Sequence, residues 1–153
     1  MVIALFGDSC AGKSTIAAEL SQTLPAEIFS GKDYLKLAKS ENMAETIFKE
    51  RLRGEEAIIY VISEKEQLNL LPERCVRVLV TASLETIKER FTARMHGSLP
   101  APVAAMLERK YGQLEAAAHD LRVNTDKVSA EEAAKEIKSL FNRTACYPGE
   151  KSF

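Results

Sequence analysis

One segment near the start of the chain constrains the fold more than any other. Residues Gly7 to Ser14 read GDSCAGKS, which fits the phosphate-binding loop (P-loop) pattern of glycine, four residues and Gly-Lys-Ser without a mismatch. The unbroken apolar run of residues 2–6 ahead of it is typical of a parallel strand buried on both faces. Apolar residues at helical spacing follow the loop: Ile16, Ala17, Leu20 and Leu24. This order predicts an anion site at a helix N-terminus.

The residue types in the loop match the parts of a nucleoside triphosphate and its metal ion. Glycines let backbone N–H groups turn inward toward phosphate oxygens. Lys13 is expected to reach the β- and γ-phosphates, and the Ser14 hydroxyl to ligate Mg²⁺. The alternative is a glycine turn that only joins the strand to the helix. The residues expected to bind the triphosphate are Gly7, Asp8, Ser9, Cys10, Ala11, Gly12, Lys13, Ser14 and Thr15.

Composition narrows the class of partner. The chain has 153 residues, enough for one domain, and 21 basic residues against 22 acidic ones give a net charge of −1. This balance favours small molecules and predicts neither a nucleic-acid groove nor a membrane surface. Three scattered cysteines are typical of reduced thiols, so we expect a cytoplasmic protein. The sequence leaves open whether it is a monomer or a homodimer.

Strand and helix patterns alternate along the chain, which predicts a three-layer α/β/α fold around a five-stranded parallel sheet. The predicted strands cover residues 2–6, 27–29, 57–62, 76–81 and 121–124. A Gly/Pro-rich loop from His96 to Pro102, followed by a helix through Val103 and Leu114, is expected to belong to a short lid at about residues 95–109. We therefore predict one domain over residues 1–142 and a C-terminal tail over residues 143–153.

Polar residues follow several of these strands. Asp33 comes after the second strand, Glu64 after the third and Thr125 after the fifth. The carboxyl ends of parallel strands meet at one edge of a sheet, where ligands bind. These residues are therefore expected to converge on the P-loop.

The whole arrangement, to about Phe141, resembles the nucleoside-monophosphate-kinase-like group of P-loop kinases. Residues 29–35, FSGKDYL, are similar to the segment after strand two in gluconate, shikimate and adenylylsulfate kinases. The resemblance implies that Asp33 faces the hydroxyl group of a phosphoryl acceptor. In those families a second carboxylate usually stands two residues earlier, where this chain has Gly31.

The lid also carries part of the resemblance. Arg90 and Arg94, the Gly/Pro loop and Arg109 are similar to a kinase lid, in which one arginine packs on the adenine or phosphates and another reaches the transferred phosphoryl group. Phosphoryl transfer depends on positioning and on cationic stabilisation, a need that lid arginines meet. The resemblance implies that Thr125 flanks the base. Lys13, Asp33, Arg94 and Arg109 form the expected catalytic set.

Each of these roles has a simpler alternative. Asp33 is also placed to cap the next helix, Glu64 to begin a helix rather than to hold a metal-bound water, and the arginines to lie on solvated helix faces. Arg51 and Arg53 are candidates for gripping an acidic group on the acceptor, or for simple exposure.

The expected function is that of a kinase dependent on ATP and Mg²⁺, which phosphorylates a small metabolite hydroxyl or a nucleotide. Two alternatives stay open, a nucleoside-monophosphate kinase and a non-catalytic or slowly hydrolysing nucleotide-binding module. The absence of an aspartate at the end of the third strand favours the latter. The sequence does not decide between ATP and GTP.

Overall fold

The computed structural model describes residues 1–146, and its centre is a parallel sheet. The five strands are β1 (Val2–Phe6), β2 (Glu27–Ser30), β3 (Ile58–Ile62), β4 (Cys75–Thr81) and β5 (Leu121–Asn124). Their order across the sheet is β2-β3-β1-β4-β5, and every neighbouring pair is parallel. The predicted five-stranded parallel sheet is confirmed.

Strand β1 lies in the middle of the sheet. Leu5 pairs with Val61 of β3 on one side and with Val78 of β4 on the other. All five β1 residues are buried, as the apolar run predicts for a strand covered on both faces. The strand order reverses direction at β1, so the crevice at its carboxyl end is where this topology places a ligand. The P-loop begins at that end.

Helices cover both faces of the sheet. They are α1 (Lys13–Thr23), α2 (Glu41–Arg53), α3 (Leu84–Arg94), α4 (Ala101–Lys110) and α5 (Ala130–Cys146). One core cluster joins the sheet to α1 and α5 through Ile16, Leu20 and Ile137. The opposite cluster joins it to α2 through Phe48 and Leu52. The three-layer α/β/α architecture is therefore confirmed.

Short 3-10 helices follow β2 and β3. The first, Asp33–Leu37, leads into α2, and the second, Lys65–Leu70, leads toward β4. Serines cap two of the helices at their N-termini: Ser83 Oγ accepts a hydrogen bond from Thr86 N at 3.1 Å, and Ser129 Oγ accepts one from Glu132 N at 3.2 Å.

Two boundaries differ from those expected. Helix α4 starts at Ala101 and ends at Lys110, short of Leu114, because Gly112 turns the chain into the left-handed region with φ 77°. Residues 143–146 belong to α5 rather than to a tail. The rest of the predicted tail, residues 147–153, lies outside the described residues. In residues 1–146 no helix is both long enough and apolar enough to cross a membrane.

Candidate active site

The P-loop packs so closely against neighbouring strands that its glycines are required. A Cβ on Gly7 would stand 2.0 Å from the backbone oxygen of Val80, inside any permitted contact. Gly12 has φ 109°, and a Cβ there would lie 3.1 Å from Thr125 Cγ2. Cys10 also adopts a positive φ of 64°. The loop is therefore a tightly curled turn directly before α1, as an anion cradle requires.

Lys13 is buried inside this cradle, with only 4% of its surface exposed. Its Nζ donates hydrogen bonds to the backbone oxygen of Gly7, to that of Asp8 at 2.9 Å and to Ser63 Oγ at 2.9 Å. Ser63 is the first residue after β3. The side chain at the end of β3 thus helps to hold the lysine that the P-loop supplies.

Burial lowers the pKa of Lys13 to about 8, because removal from water disfavours the ammonium form. The negative charge of Asp8 opposes this shift, and the positive charge of Arg94 adds to it. A cation so desolvated is a strong partner for an anion placed beside it.

Arg90 and Thr125 brace the P-loop from behind. Arg90 Nη1 donates hydrogen bonds to the backbone oxygen of Cys10 at 3.0 Å and to Thr125 Oγ1 at 3.1 Å. Thr125 Oγ1 donates to the backbone oxygen of Ala11 at 2.7 Å. These two residues, both predicted to belong to the nucleotide site, therefore fix the shape of the loop.

Two cavities that share lining residues border the loop. One cavity of about 300 Å³ is lined by the P-loop, by Ser30 and Gly31 at the end of β2, by Ser63 and by Arg94. A second of about 430 Å³ extends past Arg90 and Thr125 to the start of α5, at Ser129. Arg94, Cys10, Gly12 and Thr15 line both. The first has the position expected for the phosphates and the second that expected for the base and sugar.

Ser14 and Thr15 lie exposed in the first turn of α1, next to these cavities. In residues 1–146 no group of three or more His, Cys, Asp or Glu side chains is arranged to hold a metal ion. Mg²⁺ typically takes one or two protein ligands and completes its shell with water and phosphate oxygens. The Ser14 hydroxyl at a phosphate cradle fits that mode of binding.

Asp33 follows β2 by three residues and is exposed. Its Oδ2 accepts a hydrogen bond from Ser30 N at 3.0 Å, which closes the turn around Gly31. This contact holds the turn that precedes the 3-10 helix and does not cap that helix, whose N-cap residue is Lys32 and has no side-chain cap hydrogen bond. The second carboxylate oxygen, Oδ1, is the one through which Asp33 can contact another molecule.

The predicted metal residue Glu64 lies on the other side of Ser63. Its Oε1 is 3.6 Å from Lys110 Nζ, and its side chain is 55% exposed. Arg109, the neighbour of Lys110, is exposed on α4 and lines neither of the two cavities described above. Helix α4 therefore turns Lys110, rather than Arg109, toward the strand ends.

Asp8 and Arg51 are also engaged within the protein. Asp8 Oδ2 accepts a hydrogen bond from Gly112 N at 3.0 Å, so its carboxylate points away from the cradle. Arg51 forms an ion pair with Glu27 and lies 5.3 Å from the ring centre of Phe29. Arg51 thus supports the β2 edge. Arg53 lies near Met1, at the end of the sheet opposite the P-loop.

Comparison with known proteins agrees with this geometry. A gluconokinase from Sinorhizobium meliloti 1021 shares 15% identity at a TM-score of 0.65, with 97% of each chain covered. The YorR protein of Bacillus subtilis, solved in complex with phosphorylated GDP, shares 24% identity at a TM-score of 0.68, covering 97% of this chain and 100% of that one. A shikimate kinase from Acinetobacter baumannii, in complex with shikimate, shares 17% identity at a TM-score of 0.62, with 93% of each covered.

The chain has the fold of the P-loop kinases. No protein-family model matches its sequence, and no curated protein sequence does. The relation is therefore carried by the three-dimensional structure, at sequence identities of 15%, 24% and 17% to the three proteins named.

Within this P-loop kinase fold, the sequence does not predict several residues of the site. Ser63 binds Lys13, Lys110 pairs with Glu64, and Gly112 binds Asp8 across 104 positions in the sequence. Ser63 has one usable signal, its place directly after a buried strand. Lys110 and Gly112 have none, because their partners are set by how α4 packs.

Proposed function

We propose that the chain is an ATP- and Mg²⁺-dependent kinase that transfers the γ-phosphoryl group to a small metabolite hydroxyl or to a nucleotide. The observation that carries the proposal is the buried Lys13 ammonium at the floor of a cavity of about 300 Å³, which Arg94 borders from the lid side. Two cations around one anion-sized space suit a transition state whose charge is spread over the transferred group.

The residues divide the work by position. Inward backbone N–H groups of the P-loop and the Lys13 ammonium hold the triphosphate, and Ser14 supplies a ligand to Mg²⁺. When bound, Mg²⁺ neutralises charge on the phosphates. Arg90 and Thr125 keep the loop in shape and border the space for the base. Glu64, beside Ser63, is the candidate for a metal-bound water.

Asp33 is assigned to the acceptor. Its Oδ2 is held by Ser30 N, which fixes the carboxylate at the rim of the turn that lines the phosphate cavity. Oδ1 can then orient an acceptor hydroxyl and take its proton late in the transfer. Arg94 and Arg109 are expected to approach the transferred group when the lid, residues 95–109, closes and excludes water.

A nucleotide acceptor is the second candidate. YorR, with which the chain shares 24% identity over 97% of its length, was solved with phosphorylated GDP. That likeness makes nucleoside monophosphates, and GTP as the donor, necessary parts of any test.

The test is acceptor-stimulated release of ADP from ATP, or of GDP from GTP, with a panel of sugar acids, shikimate, nucleosides and nucleoside monophosphates. We expect one chemical class of acceptor to raise release of the nucleoside diphosphate above the basal rate, and Lys13→Ala to abolish the increase. The matched control is Lys135→Ala, an exposed lysine of α5 remote from the loop, which is expected to behave as wild type. ATP binding without stimulation by any class would favour the nucleotide-binding module.

A further inference from the structure

The end of the lid helix is fastened to the sheet by three consecutive residues. Lys110 Nζ lies 3.6 Å from Glu64 Oε1, the Tyr111 hydroxyl donates to the backbone oxygen of Ala82 at 3.0 Å, and Gly112 N donates to Asp8 Oδ2 at 3.0 Å. Glu64 follows β3, Ala82 follows β4 and Asp8 follows β1. Three neighbouring strand ends therefore each hold one residue of the segment 110–112.

The contact made by Asp8 joins the P-loop directly to the end of α4. Its backbone oxygen accepts a hydrogen bond from Lys13 Nζ at 2.9 Å, whereas its carboxylate reaches out of the loop to Gly112. A carboxylate facing the cradle would repel phosphate, and the contact with Gly112 turns it away. Gly112 presents its N–H just past the end of α4, after Tyr111 has left helical geometry with φ −55° and ψ 127°. Asp8 thus belongs to the P-loop through its backbone and to the lid through its side chain.

A small cavity of about 60 Å³ lies between the P-loop and the end of α4. Asp8, Ser9 and Ser63 line it from the P-loop side, and Lys110, Tyr111 and Gln113 line it from the lid side. Leu107 of α4 also packs in one cluster with Cys10 of the P-loop. Any shift of the end of α4 therefore moves Lys110 relative to Ser63, the residue that holds Lys13.

We propose that Asp8 is a positioning residue, which ties the end of α4 to the P-loop and so sets where Arg109 and Lys110 stand relative to bound phosphate. The tether itself is a property of the free protein. Its effect on phosphoryl transfer rests on the proposed function. Asp8→Asn keeps an oxygen that can accept from Gly112 N and removes the charge, so the pair Asp8→Ala and Asp8→Asn separates tethering from charge.

The first readout is amide hydrogen exchange at Gly112, measured without nucleotide. We expect Asp8→Ala to speed it about tenfold, because the amide loses a carboxylate partner, and Asp8→Asn to restore most of the protection. The matched control is Asp120→Ala, which removes another carboxylate acceptor, the partner of Arg77 N at 2.8 Å, and is expected to leave Gly112 unchanged. Unchanged exchange at Gly112 in Asp8→Ala would overturn the tether.

The second readout is the split between kcat and KM with the acceptor found by the panel. A positioning role predicts that Asp8→Ala lowers kcat about tenfold with little change in the KM for ATP, and that Asp8→Asn recovers it. Loss in both variants would assign the effect to charge and overturn the role. If no acceptor supports turnover, the proposed function and the positioning role fail together, while exchange at Gly112 still decides whether the tether exists.

If Asp8→Ala does not fold, a variant outside the P-loop still tests the positioning role. Tyr111→Phe removes the hydrogen bond to Ala82 and leaves Asp8 intact. We expect exchange at Gly112 to rise about threefold and kcat to fall by a similar factor, because one neutral hydrogen bond is lost. Faster exchange with unchanged kcat would contradict the positioning role.

Discussion

The P-loop and the acceptor side, which we define as Asp33 and Glu64 with the residues next to them, face the same edge of the sheet but are held differently. The P-loop is braced on every side, by Val80 against Gly7, by Arg90 against Cys10 and by Ser63 against Lys13. Asp33 and Glu64 are exposed. Asp33 contacts a local backbone N–H, and Glu64 contacts one surface lysine. We infer from this difference that the proposed phosphate site is preformed, whereas the proposed acceptor site forms fully only with its ligand and a closed lid.

The largest effect is expected on the acceptor side. Asp33→Asn retains an oxygen for Ser30 N and removes the charge, so acceptor-dependent turnover is expected to fall about 10²-fold while ATP affinity is preserved. Asp120→Asn, whose carboxylate accepts from Arg77 N far from the site, is the control with unchanged turnover. Normal turnover in folded Asp33→Asn would show that Asp33 only holds the turn after β2.

The rigidity of the P-loop is tested by adding a single methyl group. Gly7→Ala places a Cβ 2.0 Å from the Val80 oxygen, so the free energy of unfolding in urea is expected to fall by about 3 kcal/mol. Gly97→Ala is the comparison, because Gly97 has φ 90° but no atom within 4 Å of its Cβ position. It is expected to cost about 1 kcal/mol through backbone strain alone. Equal losses would mean that the loop tolerates the added group.

The lid is expected to respond to ligand more than the P-loop does. Saturation with ATP and Mg²⁺ is predicted to slow amide exchange about tenfold in residues 96–102 and to change it less in α1, whose amides are already hydrogen-bonded within a helix. Hydrogen exchange followed by mass spectrometry measures both segments in one sample. Unchanged exchange in residues 96–102 would contradict closure of a lid over the nucleotide.

A smaller effect is expected from the titration of Lys13. Its pKa is about 8 in the free protein, and bound phosphates favour the ammonium form and raise it. Binding therefore takes up a proton above that pKa, and ATP affinity is expected to fall about fivefold from about pH 8 to about pH 9. Calorimetry in two buffers of different ionisation enthalpy measures the uptake. No proton uptake in that range would contradict the placement of Lys13 at the phosphates.

The shifted pKa of Lys13 also determines how the stability of the free protein depends on pH. Its pKa is lower in the folded state than the ordinary value of 10.5, so between about pH 8 and 10.5 the unfolded chain binds more protons. The contribution of Lys13 to the free energy of unfolding therefore rises with pH across that window. Lys13→Met is expected to lose this rise, which urea unfolding at several pH values can measure.

The parts that the sequence predicts are those determined locally. The apolar run of residues 2–6 and the P-loop each carry their structure within a few residues, as do the caps at Ser83 and Ser129. The parts that it misses depend on distant packing. Nothing near Gly112 indicates that its N–H meets Asp8, and nothing near Arg109 indicates that Lys110 is the α4 residue turned toward Glu64.

The extent of the last helix shows the same limit from another side. The apolar pattern of α5 weakens after Phe141, so the sequence suggested a tail there. The backbone continues as a helix to Cys146, with the Thr144 hydroxyl bonded to the Leu140 backbone oxygen at 2.9 Å. Helical hydrogen bonds can extend past the last buried residue, which periodicity does not register.

The most direct test of the central claim is calorimetric titration of ATP and Mg²⁺ into wild-type chain, Lys13→Ala and Lys135→Ala at pH 7. We expect saturable one-to-one binding for wild type and Lys135→Ala, and affinity reduced about 10²-fold for Lys13→Ala, because a buried cation meets the phosphates only in the first two. Equal affinity in all three folded proteins would contradict it.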